Sequence, residues 1–215
     1  MKSMIAAMAG IVLMAGAASA ATIHLNTAKH WTSGSHTYSN GSHSVEVSAY
    51  QFYDYGKLFN GHNTLTGSWG GHHGGVGAHS CIFSKKCMPD KHTVDGSWGN
   101  EMVVFDFGDK IVRLTGVSFS YADKYDKFDI GVYGNGVGSA PIGYQYDKSL
   151  ANHSPQYAAV SGLDTGSVFG VGAYTHSSDF KIKKIHYEVV PLPAAGWLLL
   201  AGIGGLAALK RRKRA

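Results

Sequence analysis

Cysteine is nearly absent from this chain: only Cys81 and Cys87 occur in 215 residues, so covalent cross-linking is limited to one small loop. No helical apolar period runs through residues 21–189 and leucine is sparse there, which excludes a helical bundle. The local signatures G-x-S-x-G and H-E-x-x-H are missing from the same stretch. A hydrolase would have to assemble its residues from distant points, and among so many Ser, His and Asp no such set stands out. That stretch lacks a net positive charge too, although the whole chain carries +5 with a pI of 9.1. Of the 19 Lys and Arg, Lys2 and the cluster Lys210, Arg211, Arg212, Lys213 and Arg214 lie at the two ends, leaving 13 against 14 acidic residues, about −1 with His neutral. Binding a nucleic-acid backbone needs clustered cations, so that class of partner is excluded.

What is present is clearest at the ends. Lys2 makes a short positive start, Ile5 to Ala17 are apolar or small, and Ala18-Ser19-Ala20 is an A-x-A cleavage site, so a signal peptide of residues 1–20 is expected, with the mature chain starting at Ala21. At the other end Val190-Pro191-Leu192-Pro193-Ala194 precedes an uncharged run from Ala195 to Leu209. With Ala194 that run is 16 residues, roughly 24 Å as a helix, a little short of the ~30 Å hydrocarbon core. Trp197 suits the outer boundary, and the five cations after the run are what a cytoplasmic end carries. Read by itself, this is a C-terminal transmembrane helix that anchors the chain, with Lys210 to Arg214 as its stop.

The order of motif, glycine-interrupted span and terminal basic cluster closely resembles the PEP-CTERM sorting signal of Gram-negative bacteria in its VPLPA variant, here Val190 to Ala194. The resemblance implies an exported protein held briefly in the inner membrane until an exosortase, a cysteine transpeptidase-like membrane enzyme, processes the motif. Leu192 stands where the name-giving motif has Glu, so a matching exosortase subtype is needed. The chain thus divides into a signal peptide at 1–20, an ectodomain at 21–189 and a sorting signal at 190–215.

Export leads to an oxidising compartment, where Cys81 and Cys87 are expected to form a small disulfide loop, the alternatives being a metal or redox pair. Gly, Ser, Tyr, Val and Thr dominate the ectodomain, and apolar residues alternate in short runs. Strands are predicted at Thr22 to Asn26, Ser44 to Tyr53, Met102 to Phe107, Ile111 to Tyr121, Phe128 to Val132, Ile142 to Tyr146, Ala158 to Val160, Val168 to Tyr174 and Phe180 to Val190. Parity changes at Gly116 and at Lys183-Lys184 require bulges to keep the apolar residues on one face. Lys57 to Gly99, rich in Gly and His, reads as loop. The expected fold is all-β, an antiparallel β-sandwich of jelly-roll-like form. From Gly74 to Val190 the chain also resembles exosortase-dependent surface proteins of β-sandwich type, through Gly75-Val76-Gly77, the cysteine pair, His92 to Asp95, Asn100 to Phe105, Asp126 to Tyr133, Phe169 to Val171 and Asp179 to Ile182. That implies an extracellular, biofilm-associated role and transfers no catalytic residue.

Three groups could carry chemistry. His72, His73, His79, Cys81, Cys87 and His92 offer Zn or Cu donors, but their spacing fits no compact ligand set and solvated loop residues are the plainer reading. Asp123, Asp126 and Asp129 offer hard oxygens suited to Ca²⁺, against which Lys124 and Lys127 stand between the acids; solvent-facing acids on a hairpin are the alternative. Tyr50, Phe52, Tyr53 and Tyr55, with Tyr121, Tyr125 and Tyr133, could present ring faces to sugars or simply fill the core. The expectation is a non-catalytic surface or matrix protein that needs no cofactor, with an exosortase, the inner membrane and an exopolysaccharide as partners. The alternatives are a lectin-like polysaccharide-binding module and a matrix hydrolase.

Overall fold

The computed structural model of the chain describes residues 18–25, 31–53, 56–59, 62–68, 74–81, 93–96, 100–134, 140–150 and 156–191. Residues 19–190 form one compact unit, and of the terminal stretches outside it only Ala18 and Pro191 are described. The expected signal-peptide core and transmembrane helix therefore lie outside the described residues. Among the described residues no helix is long and apolar enough to cross a membrane.

The unit is all-β and consists of two antiparallel sheets. Sheet A holds β1 (Ser19–His24), β2 (Trp31–Ser33), β6 (His62–Ser68), β7 (Gly75–Cys81), β8 (Val94–Asp95), β10 (Val112–Ser120), β13 (Gln156–Ala159) and β15 (Asp179–Val189). Its order is β13-β10-β15-β7-β6-β2, with β1 and β8 also paired to β15. Sheet B holds β3 (Ser35–Asn40), β4 (His43–Tyr53), β5 (Lys57–Phe59), β9 (Glu101–Asp106), β11 (Lys127–Tyr133), β12 (Gly143–Ser149) and β14 (Val168–Ala173). Its order is β12-β11-β14-β9-β4-β3, with β5 on β4.

Period-two patterning assigns the faces. Val45, Val47, Val103, Phe105, Ile130, Phe169 and Val171 of sheet B join Leu114, Val117, Phe119, Ile182, Ile185 and Tyr187 of sheet A in one buried cluster. Each such side chain contributes about 1.5–3 kcal/mol by leaving water. Both parity changes in the sequence are bulges. The β10–β15 register steps from Leu114↔Tyr187 to Gly116↔His186, leaving Thr115 extra, and from Ser118↔Lys184 to Phe119↔Ile182, leaving Lys183 extra. One bulge on each strand keeps the inward residues of both pointing inward.

Two expectations change. The stretch 57–99 is not simply loop, since β5 to β8 fall within it. Its strands turn only a few small or single apolar residues inward, Leu65, Val76, Ala78 and Val94, so their alternation is faint in sequence. In addition, β2 and β3 precede β4 where no strand is expected, because β3 buries only Tyr38 and leaves its other residues exposed.

Candidate functional site

The outer face of sheet B carries a second, smaller buried cluster made of Phe52, Leu58, Met102, Val104, Tyr133 and Val168, with Tyr50 and Tyr144 half-buried against it. This explains why β9 is buried on both faces. The room comes from glycines at every second position: Gly131 of β11 lies opposite Gly170 of β14, and Gly172 lies opposite Met102 of β9. A Cβ at Gly170 would run into Met102 Sδ, and one at Gly172 would stand 2.7 Å from the Phe52 ring. The bare backbone is thus filled by the protein's own side chains.

Two phenols are fixed within this face. The Tyr133 hydroxyl donates to the Gly56 carbonyl at 2.6 Å and lies 3.2 Å from Met102 Sδ. The Tyr144 hydroxyl donates to Asp129 Oδ2 at 2.5 Å, while Asp129 Oδ1 accepts from the Asp147 amide at 2.9 Å. Burial, the largest cause, raises the Asp129 carboxyl above its ordinary range, partly offset by these two bonds. Burial likewise raises both phenols, and Asp129 beside them adds to it, so they remain neutral donors. Tyr174, 44% exposed, borders the cluster with its ring 6.0 Å from Phe52. The arrangement offers tyrosine rings around a hydrogen-bonded carboxylate, which suits apolar and C–H surfaces and supplies no free nucleophile.

Of the aromatic residues singled out in the sequence, Tyr50, Phe52 and Tyr133 come together here, and Phe52 and Tyr133 are core rather than surface. Tyr121 and Tyr125 lie instead in the β10–β11 connection, under Lys181 and Lys124 respectively. The Tyr53 side chain and all of Tyr55 lie outside the described residues. Sequence reasoning does not single out Tyr144 and Tyr174; for Tyr144 the signal is nonlocal, Gly131 on β11, which leaves space beside it.

The three aspartates proposed for calcium do not converge. Asp126, 1% exposed, spends Oδ2 on the Asp123 amide and Oδ1 on the Asp179 amide, stitching the β10–β11 connection to the start of β15. Asp123 Oδ1 accepts from the Tyr125 amide in a local turn, and Asp129 serves Tyr144 and Asp147. Among the described residues no three His, Cys, Asp or Glu are grouped to hold a metal ion. The carboxylates are occupied by backbone and tyrosine donors, so the calcium reading is withdrawn. Burial, ahead of its like-charged neighbours Asp123 and Asp179, raises the Asp126 carboxyl. Cys81 closes β7, but its side chain, Cys87, and with them the expected disulfide lie outside the described residues, as do His72, His73 and His92.

On the outer face of sheet A, His186 joins three strands. Its Nδ1 is 3.0 Å from Thr22 Oγ1 of β1 and its Nε2 is 3.0 Å from Ser118 Oγ of β10. The Tyr157 ring of β13 meets it edge-on at 5.2 Å. Burial, then Lys184 and His24, lowers the imidazole below its ordinary value. A hydroxyl stands where a catalytic triad has its carboxylate. Ser118 is also paired on both sides, to Lys184 and Tyr157, so nearby amides serve the ladders rather than an oxyanion. Ser178 and Lys181 carry a Ser-x-x-Lys spacing, yet Ser178 Oγ is bonded to the Lys127 amide and Thr175 Oγ1, and Lys181 Nζ lies 5.4 Å over the Tyr121 ring. Ser178 and Lys181 thus lack the geometry of a nucleophile with its base, whereas Ser118 and His186 are within hydrogen-bond reach but have a hydroxyl, Thr22 Oγ1, in place of the orienting carboxylate. A polar hollow of about 300 Å³, lined by Thr37, Ser44, Glu46, Asp106 and Asp109 among others, lies where β3, β4 and β9 meet the β9–β10 turn. Asp106 Oδ1 there accepts from the Gly108 amide, and Lys110 Nζ donates to the Ser42 carbonyl. Compared with protein families, curated proteins and solved structures, the chain matches none.

Proposed function

We propose that this chain is an exported surface or extracellular-matrix protein of non-catalytic role, a jelly-roll-like β-sandwich sorted through its C-terminal VPLPA signal by an exosortase. The observation that carries the reading is a coincidence of boundaries. The folded unit runs from Ser19 to Val190; the A-x-A motif of the sequence ends at Ala20 and the sorting motif begins at Val190. Nothing of the compact unit is spent on either signal beyond a residue or two, as a cargo domain between two removable segments requires. In this reading the inner membrane is a temporary station, and the destination is the cell surface or the biofilm matrix. Replacing Pro191 and Pro193 with Ala in the producing organism is the test. The variant is expected to accumulate in the inner membrane while the wild type leaves it, and equal release of both would refute the sorting route.

A second reading, a lectin-like module for exopolysaccharide, draws on Tyr174 and Tyr144 at the margin of the sheet B outer face. Tyrosine rings held by hydrogen bonds and packing offer stacking area at little entropic cost. The purified protein would then be retained on the producing organism's exopolysaccharide and Tyr174→Ala would elute earlier. No retention of the wild type sinks this second reading and leaves the first standing.

A further inference from the structure

β1 pairs with β15 alone among the strands: Ser19 with Val189, Ala20 with Glu188, Ala21 with Tyr187, Thr22 with His186, Ile23 with Ile185 and His24 with Lys184. Two of the three residues of the Ala18-Ser19-Ala20 motif, and both residues flanking the Ala20–Ala21 bond, are therefore strand residues of the folded unit. On the opposite edge the Thr22 carbonyl accepts from Asn40 Nδ2 at 3.0 Å. Just downstream, Ile23 and Leu25 are fully buried in the core, and the Leu25 amide donates to the Lys183 carbonyl at 2.9 Å. A peptidase that takes its substrate as an extended strand must draw the backbone on both sides of the scissile bond into its own cleft; β15 holds one edge of Ala20 and Ala21, and Asn40 holds the Thr22 carbonyl on the other.

We infer that docking of β1 on β15 closes the Ala20–Ala21 bond to the leader peptidase, so that leader removal has to precede completion of sheet A. This rests on the reading of Ala18-Ser19-Ala20 as the leader junction. The step is hydrolysis: water adds across the bond, Ala20 leaves with the leader as a carboxylate, and Ala21 becomes an α-ammonium. Chain order supports the sequence of events. β15 is the last strand of the unit, so an unfolded chain arriving amino end first exposes the junction until residues 179–189 follow. A chain that folds before export pairs its own junction into the sheet, with Ser19 and Ala20 exposed but held in the ladder, and keeps its leader. Once cut, the new ammonium of Ala21 lies one residue along from the position opposite Glu188, whose carboxylate stands 3.8 Å from Arg113.

The test uses the full-length precursor purified with its leader, offered to purified leader peptidase in mild detergent. One aliquot is folded and one is freshly diluted from urea, and the products are identified by amino-terminal sequencing. Cleavage of the folded aliquot is expected to be at least about tenfold slower than that of the unfolded one, because cutting must await local opening of β1. The unfolded aliquot is expected to be cut between Ala20 and Ala21. Equal rates at that bond overturn the inference while sparing the junction. A cut elsewhere in the unfolded aliquot, or none, overturns the junction itself.

Discussion

At the scale of single residues, the account rests on groups whose environments are unlike water. His186 is lowered from its ordinary value near 6.5 by burial and by the neighbouring Lys184 and His24. Above about pH 6.5 the imidazole is neutral in both the folded and the unfolded chain. As pH falls below that value the unfolded chain takes up the proton first, so stability is lost through the interval down to the folded value. The melting temperature is expected to drop between pH 7 and pH 5, and to drop less in His186→Gln, measured by calorimetry; identical profiles would contradict the assignment. Asp126 carries the opposite sign. Its folded value is raised, so its ionisation costs stability once pH passes the ordinary carboxylate range. Its bonds to the Asp123 and Asp179 amides still outweigh replacement, because Asp126→Ala strands buried donors at roughly 1–3 kcal/mol. Gly170→Ala drives a methyl into Met102 and is expected to cost about 1–3 kcal/mol by overpacking, read as the shift of a urea midpoint.

At the scale of elements, the strands that alternate large apolar with polar or small residues were legible in the sequence. Phe128, Ile130 and Val132 announce β11, and the parity breaks near Gly116 and at Lys183 announce the two bulges. Strands β6 and β7 were not legible, because a single Leu65 or the pair Val76 and Ala78 suffices to fill their share of the core between Gly, Ser and His. The candidate face of sheet B was half legible. Tyr50, Phe52 and Tyr133 stood out by type, but that Tyr144 sits beside Gly131 depends on pairing between strands distant in sequence. The bulges give a contrast to test. Deleting Thr115 leaves Leu114 and Gly116 against consecutive partners Tyr187 and His186, so every inward side chain keeps its face. The loss is the Thr115 carbonyl that accepts from the Val160 amide, for which a fall of a few degrees in melting temperature, about 2–4 °C per kcal/mol, is expected. Deleting Gly131 from the regular β11–β14 ladder turns Val132 outward and Tyr133 inward, and cooperative unfolding is expected to vanish.

At the scale of the whole molecule, the chain is proposed to be a folded cargo between two address labels. The first and last strands of the unit lie side by side, with Ser19 opposite Val189, so both terminal stretches continue from the same strand pair. Val190, the first residue of the proposed sorting motif, still donates its amide to the Ile111 carbonyl at 2.9 Å, just past the end of β15. The proposed terminal labels are read from linear order and charge alone, and the basic pI comes from the two ends of the chain rather than from residues 21–189. What the folded unit does depends on surfaces assembled from separate strands, which linear order does not show. The most direct test is intact-mass measurement, with terminal sequencing, of the protein recovered from the cell surface or matrix of the producing organism. The account predicts a chain that begins at Ala21 and lacks Lys210 to Arg214. A chain recovered there with its leader or its basic tail intact would contradict it.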